Sequence, residues 1–189
     1  MPDLGLKAHA ERSFGFLLRE RGYTCTESTP CRMRFESRTV FVELVFDGER
    51  SFELGLLVGK RDAYSPPFSI DEILRFRRAP DAASFSLIQI TTSLAMARWV
   101  QKLADALRTY GSDLLTGNST SFAELANCRR KEARTYALRE RLRAARPNPD
   151  AAWRRRDYAT VVKALKPLRA ALTAAEVGKL EYAESRCRK

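Results

Sequence analysis

The chain has little of what most enzymes use. It contains a single histidine among its 189 residues, and its four cysteines (Cys25, Cys31, Cys128 and Cys187) show no Cys-x-x-Cys spacing. A zinc site or a histidine-based catalytic dyad is therefore not expected. The sequence also has no glycine-rich phosphate loop and no Gly-x-Ser-x-Gly motif. These absences predict a protein that is not an enzyme and that uses no metal or cofactor.

Long hydrophobic runs are also missing. No apolar stretch approaches the roughly 20 residues that a membrane-spanning helix needs. The opening residues, MPDLGLKAHAERSF, lack the apolar core of a signal peptide. We therefore expect a cytoplasmic protein that does not associate with membranes and whose cysteines stay reduced.

The charge is distributed unevenly along the chain. Residues 1–117 hold 16 Lys and Arg against 15 Asp and Glu, whereas residues 118–189 hold 18 against 8. Nearly all of the net charge of +11 therefore lies in the last third of the chain. Because Gly117-Asn118 also interrupts the apolar periodicity, the sequence predicts an α+β domain over 1–117 and a basic helical extension over 118–189.

Three strands are predicted between Arg32 and Val58. Residues two apart share a face of a strand, and the apolar residues follow this rule: Met33 and Phe35; Val40, Val42, Leu44 and Phe46; Phe52, Leu54, Leu56 and Val58. All of them reach one sheet face only if the second loop has an odd length. A three-residue loop, Asp47-Gly48-Glu49, would place Leu44 opposite Phe52, and a five-residue loop has the same parity. A tight Ser37-Arg38 turn would pair Phe35 with Val40.

Predicted helices surround this meander. One covers residues 5–21 and ends at Gly22, with Ala10, Phe14, Leu17 and Leu18 on one face. Ser69 and Glu72 form a capping box for a short helix that reaches about Arg77. The Ser84–Ile90 stretch is either a fourth strand or the end of a buried helix. A long helix capped by Thr91, Thr92 or Ser93 is expected to cover the sheet with the stripe Met96, Val100, Leu103, Leu107, Tyr110 and Leu114.

The basic region reads as helical throughout. A capping box at Ser121 and Glu124 begins a helix to about Ala145, with Phe122, Leu125, Ala126, Ala133, Tyr136 and Ala137 predicted on one apolar face. Pro149 suits the first turn of another helix. A third capping box, Thr173 to Glu176, precedes the last helix. The predicted fold class is therefore α+β, with an antiparallel three- to four-stranded meander covered by helices and a C-terminal helical extension.

Two resemblances follow from these segments. Ala152-Trp153 before Asp157-Tyr158, followed by Val161, Val162 and Leu165, resembles a single tetratricopeptide hairpin that lacks its turn glycine. The segments FGFLLRERGY, FDGERSFELGLLVG, SIDEILRF, QITTS and AWRRRDYATVVKALKPL together resemble an uncharacterised family of small bacterial α+β proteins, some of them similar to the immunity-type proteins of toxin systems. The resemblance implies a protein partner and brings no catalytic residue.

The basic helices are the predicted binding region. Exposed arginines and aromatic side chains make good interface anchors, and their charge favours an acidic protein partner. The same side chains could instead follow the phosphates of a nucleic acid. The predicted binding residues are Arg129, Arg130, Arg134, Arg141, Trp153, Arg154, Arg155 and Arg156.

One enzymatic alternative can be constructed. With a three-residue loop, Glu43 and Glu53 would lie directly opposite each other, and Lys60 follows on the same strand as Glu53. Two carboxylates and a lysine could approximate the core of a metal-dependent nuclease. Neutralisation of the carboxylates by Arg32 and Arg34 is the competing interpretation and the one favoured here.

Overall fold

The computed structural model describes residues 3–61, 66–145 and 147–187. Its sheet has five antiparallel strands in sequence order: β1 (Thr24–Ser28), β2 (Arg32–Glu36), β3 (Val40–Asp47), β4 (Glu53–Lys60) and β5 (Phe68–Ser69). The predicted α+β class with an antiparallel meander is confirmed. Every apolar residue assigned to the inner face of the three central strands, except Phe52, is buried, because the side-chain parity is as predicted.

The register between β3 and β4 differs from the three-residue prediction. Leu44 pairs with Leu56 and Asp47 pairs with Glu53, so the hairpin has five residues between its last paired positions. The carboxylate of Asp47 explains the longer loop, since it accepts hydrogen bonds from the backbone N–H groups of Glu49, Arg50 and Ser51 at 3.2–3.3 Å. Phe52 therefore lies in the loop and is exposed rather than facing the core.

The turn between β2 and β3 is also longer than predicted. Phe35 pairs with Val42 rather than Val40. Ser37 closes the loop, because its N–H donates to the Val40 carbonyl at 2.8 Å and its hydroxyl accepts from the Val40 N–H at 3.1 Å. Both register errors are shifts by an even number of residues, which leaves the apolar face unchanged.

The Ser84–Ile90 stretch is not a full strand. A 3₁₀ turn spans Ala82–Phe85, and a single bridge joins Gln89 to Glu53 of β4. The edge position is instead taken by the two-residue strand β5, which lies directly before helix α3 (Ile70–Phe76). The predicted capping box of α3 is confirmed, with Glu72 accepting from the Ser69 N–H at 2.9 Å.

The first predicted helix is divided in two. Helix α1 (Leu6–Ser13) and helix α2 (Gly15–Arg21) meet at Phe14, and Gly22 ends the second helix in the left-handed conformation. In one continuous helix, Phe14 and Phe16 would point about 200° apart. The break lets both rings enter the core, where they stack at 6.3 Å. Leu18, predicted to face the core, is exposed.

Helix α4 (Ser93–Tyr110) supplies the predicted cover of the sheet. Thr92 caps it, with its hydroxyl accepting from the Ala95 N–H at 3.2 Å. Met96, Val100, Leu103 and Leu107 are fully buried in the same core as the inner face of the sheet. Leu114 is also buried, but it belongs to the short helix α5 (Ser112–Leu115), and Tyr110 is only partly buried.

The chain divides into two compact units, Met1–Cys128 and Arg129–Lys189, hereafter the N-terminal and C-terminal units. The division falls within helix α6 (Ser119–Ala145), whereas the break at Gly117 precedes it. Asn118, not Ser121, caps α6, because its side chain accepts from the N–H groups of Thr120 and Ser121. No helix of the described residues is long and apolar enough to cross a membrane.

The predicted apolar face of α6 is wrong beyond its first turns. Phe122 and Leu125 are buried in the N-terminal unit, but Ala133, Tyr136 and Ala137 are exposed. Residues 130–137 are in fact all exposed. A helical spacing of small or aromatic residues shows which of them share a face, but it does not ensure that another element packs on that face. No described element buries residues 130–137.

The C-terminal unit has its own small core. Helices α7 (Pro147–Arg154), α8 (Tyr158–Leu165) and α9 (Ala174–Cys187) surround it, with a 3₁₀ segment at Lys166–Ala171. The buried residues are Leu142, Ala152, Val161, Leu165, Leu168, Leu180 and Ala183. The capping box of α9 is confirmed, with Thr173 and Glu176 exchanging hydrogen bonds of 2.8 and 3.3 Å.

The turn between α7 and α8 yields a first prediction. Arg156 occupies the left-handed region there, with φ 59°, where a glycine would be unstrained. An L side chain in this conformation costs about 1–2 kcal/mol. Arg156→Gly is therefore expected to make the C-terminal unit about 1 kcal/mol more stable than Arg156→Ala does. Urea unfolding of the two variants measures the difference, and equal stabilities would contradict the strained turn.

Candidate binding surface of the C-terminal unit

The division of the chain separates its charge completely. The N-terminal unit holds 16 Lys and Arg and 16 Asp and Glu. The C-terminal unit holds 18 against 7 and therefore carries the whole net charge of +11. A field of one sign over 61 residues attracts anionic partners and raises their association rate.

The predicted arginines of α6 follow its exposed middle. Arg130, Arg134 and Arg141 recur at i, i+4 and i+11, which places them within about 40° of one another around the helix. All three are exposed, whereas Arg129 is half-buried. Arg146, part of the same basic run in the sequence, lies outside the described residues.

The other predicted residues meet at the turn after α7. Trp153 and Arg154 end that helix, and Arg155 and Arg156 form the turn. All three arginines are exposed, and within the described ranges no carboxylate lies within ion-pairing distance of them. The three guanidinium groups are therefore available to a partner.

Most acidic groups of the unit already have partners. The carboxylates are held by other cations or by backbone donors: Glu181 and Glu184 by Arg169, Glu184 also by Lys166, Asp150 by Lys179, and Asp157 by the Thr160 N–H that it caps. The hydrogen bond with the Thr160 hydroxyl lowers the pKa of the Asp157 carboxyl group, and the backbone hydrogen bond at 3.2 Å and the charge of Arg155 lower it further. Within the described residues the turn arginines form no ion pair, and Arg155 interacts with Asp157 only through its longer-range field.

Three aromatic rings form a cluster beside these arginines. The centroids of Trp153, Tyr158 and Tyr182 lie 5.5–5.8 Å from one another, and all three pairs are edge-to-face. Trp153 and Tyr158 are half-buried, while Tyr182 is 42% exposed. We call these residues the aromatic triad. It gives the surface a rigid apolar centre next to free positive charge.

Arg186 completes the surface. Its Nε and Nη2 donate to the Tyr182 hydroxyl at 3.1 and 2.9 Å. This hydrogen bond, and secondarily the positive charges of Arg186 and Arg156, lower the pKa of Tyr182. Trp153, Arg154, Arg155 and Arg156 are among the binding residues predicted from the sequence. Tyr182 and Arg186 are not, although their i, i+4 spacing on a predicted helix is a usable signal.

The nuclease-like alternative does not assemble. Glu43 pairs with Leu57 and Glu53 pairs with Asp47, so the two carboxylates are not opposite each other. Lys60 stands at the other end of β4, about 23 Å from Glu53 along an extended strand. Glu43 is instead buried against Arg32 and Arg34, as the competing interpretation predicted.

Other chemistry-bearing side chains are scattered. His9 lies 3.4 Å from the hydroxyl of Ser93 (Nε2 to Oγ), which is at most a long hydrogen bond. All four cysteines are free thiols. In the parts of the chain that the structure describes, no group of three His, Cys, Asp or Glu residues is arranged to hold a metal ion. The comparisons with known proteins found no matching family model, no matching curated protein and no matching solved structure.

Proposed function

We propose that the chain is a non-enzymatic protein-binding module whose C-terminal unit binds an acidic segment of a partner protein. The observation that carries the proposal is the aromatic triad with Arg154, Arg155 and Arg156 unpaired beside it. Trp, Tyr and Arg are the residues most enriched at the energetic centres of protein interfaces. The rings would fill an apolar site on the partner, and the guanidinium groups would bind its carboxylates.

The three rings are suited to act as anchors because their mutual packing already restricts their side-chain conformations before a partner binds. Each ring already packs on the other two, so burying Tyr182 further costs little side-chain entropy. The long arginine side chains contribute mainly charge and association rate, because exposed ions gain little from pairing in water. The triad would therefore supply affinity and the arginines orientation. A role of the immunity type remains one form of this proposal, suggested only by the resemblance in sequence.

Nucleic-acid binding is the second candidate. The row of Arg130, Arg134 and Arg141 on the exposed face of α6 favours it, since such a row can follow a phosphate backbone. The triad favours a protein instead. A base needs an open ring face on which to stack, and the edge-to-face packing of the triad occupies part of those faces.

The test begins with the tagged full-length chain in its native lysate, with and without nuclease and at two salt concentrations. We expect one stoichiometric protein that persists through nuclease treatment. Tyr182→Ala should weaken that complex about 30-fold, which corresponds to an interface hot spot of about 2 kcal/mol. Tyr182 is exposed, so the variant is expected to keep its helical circular dichroism.

Two variants that lose the same number of positive charges distinguish the turn arginines from the overall positive charge of the C-terminal unit. The first variant removes the three turn arginines: Arg154→Gln/Arg155→Gln/Arg156→Gln. The second removes three exposed positive charges elsewhere in the unit: Arg139→Gln/Arg143→Gln/Lys163→Gln. The first should weaken the complex at least tenfold more than the second. Equal losses, or recovery of nucleic acid alone with an affinity that falls steeply with salt, would contradict the proposal and support the second candidate.

A further inference from the structure

An open cavity of about 280 Å³ lies beside β4 on the N-terminal unit. Its apolar lining includes Val45 and Leu57 on the outer face of the sheet, Phe85 at the end of the 3₁₀ turn, and Leu87 and Ile88 after that turn. Val45 and Leu87 are exposed at its rim. The volume lies near the lower limit of ligand pockets, which usually enclose about 300–1,000 Å³, so the cavity suits a small molecule.

The cavity exists because the edge of β4 is covered at two separate points. Alternate residues of an antiparallel strand turn their N–H and C=O groups to the same side. Leu54 uses this side to donate to the Ile88 carbonyl at 2.9 Å, and Val58 uses it to pair with Phe68 of β5. Leu56 lies between these two attachments and also lines the cavity. Gly55 contributes no side chain that could fill the space.

The charged residues that line the cavity are all acidic, and its other polar lining residues are Ser69 and Ser86. Asp47, Glu53 and Asp71 line the cavity, and no Lys, Arg or His is among its described lining residues. Two of the carboxylates have structural partners, since Asp47 accepts the hairpin N–H groups and Asp71 accepts from Arg75 Nη1 at 2.9 Å. Glu53 is exposed and forms no ion pair within the described chain.

We propose that this cavity binds a small organic cation, an ammonium or guanidinium group carried on a short apolar stem. The stem would lie against Val45, Leu57 and Leu87, and the cation would pair with Glu53 in the negative potential of Asp47. Asp71 contributes less because Arg75 pairs with it. An anion of the same shape would meet the carboxylates of Asp47 and Glu53. The proposal does not depend on the function assigned to the C-terminal unit, because none of these residues belongs to it.

The probe is 2-phenylethylamine, with 2-phenylethanol as its neutral match, titrated into the ¹⁵N-labelled full-length chain. We expect saturable amide shifts centred on residues 53–57 and 85–88, and at least threefold weaker binding of the alcohol. Glu53→Gln should remove the preference for the amine. Glu49→Gln, which removes an exposed carboxylate from the same hairpin outside the cavity, should leave it unchanged.

A second variant tests the cavity itself. The nearest heavy atom to a Cβ at Gly55 is the Val45 carbonyl oxygen at 4.0 Å, so a Cβ is accommodated there. We expect the two further methyl groups of Gly55→Val to occupy the cavity. It should abolish the saturable shifts while the chain stays folded. The absence of saturable shifts with the amine, equal binding of amine and alcohol, or binding unchanged in Gly55→Val would each overturn the proposal.

Discussion

Phe35→Ala is expected to lower the free energy of unfolding of the N-terminal unit by about 3–5 kcal/mol. Phe35 is fully buried on β2, and its ring stacks on that of Phe14 at 6.0 Å. Truncation removes the transfer free energy of the ring and leaves a cavity in the contact between the sheet and the first helices. A loss of this size approaches the whole stability of many domains.

The measurement uses the position of the two tryptophans. Trp99 packs on the core of the N-terminal unit and Trp153 on that of the C-terminal unit. In a Trp153→Phe background, the emission of Trp99 during urea unfolding reports the N-terminal unit alone. Val45→Ala, on the outer face of the same sheet, is the control and should cost less than about 1 kcal/mol. Comparable losses for the two variants would mean that the faces of the sheet are assigned wrongly.

Leu180→Ala should unfold most of the C-terminal unit. Leu180 is fully buried in a core of seven residues, and a buried leucine truncated to alanine costs about 2–5 kcal/mol. A unit of 61 residues buries a smaller fraction of its surface on folding than a larger domain does, and it has little stability to lose. The unpaired arginines add self-repulsion. We therefore expect the amides of α8 and α9 to lose their protection from hydrogen exchange, while the amides of the sheet stay protected.

Hydrogen exchange of the full-length chain, read by mass spectrometry, measures this outcome. Amides of residues 158–187 should exchange rapidly in Leu180→Ala, and those of β3 and β4 should remain protected, because the two cores share no residue. Lys163→Ala, an exposed change on α8 that favours helix, is the control and should leave exchange unchanged. Loss of protection in both units together would contradict their independence.

Much of the fold could be predicted because an error of two or four residues in the pairing of two strands leaves the same side chains on the same face of the sheet. The predicted pairings of Leu44 with Phe52 and of Phe35 with Val40 are wrong, yet every inner-face residue of β2, β3 and β4 is buried. Only the odd or even length of a loop decides which face is apolar. The loop lengths themselves depend on the side chains of Asp47 and Ser37, which bind the backbone only once the hairpins have formed.

The binding surface was less predictable than the fold. Trp153, Arg154, Arg155 and Arg156 are adjacent in the chain, so a local pattern identifies them. Tyr182 and Arg186 join them only through the packing of α9 on α8. The reverse error occurred at Tyr136, where a helical apolar pattern predicted burial and the side chain is exposed. Periodicity indicates which residues share a face and does not say whether anything lies against it.

The sequence by itself determined the features that depend on neighbouring residues. These are the helix caps at Ser69 and Thr173, the alternation of the meander, and the concentration of positive charge in the last third of the chain. Only the tertiary structure decided the strand register, the left-handed turn at Arg156, the aromatic triad and the cavity beside β4. The aromatic triad and the cavity depend on groups far apart in the chain, whose meeting is set by the packing of whole elements. The strand register and the turn at Arg156 depend on loop backbone conformations that residue spacing alone does not specify.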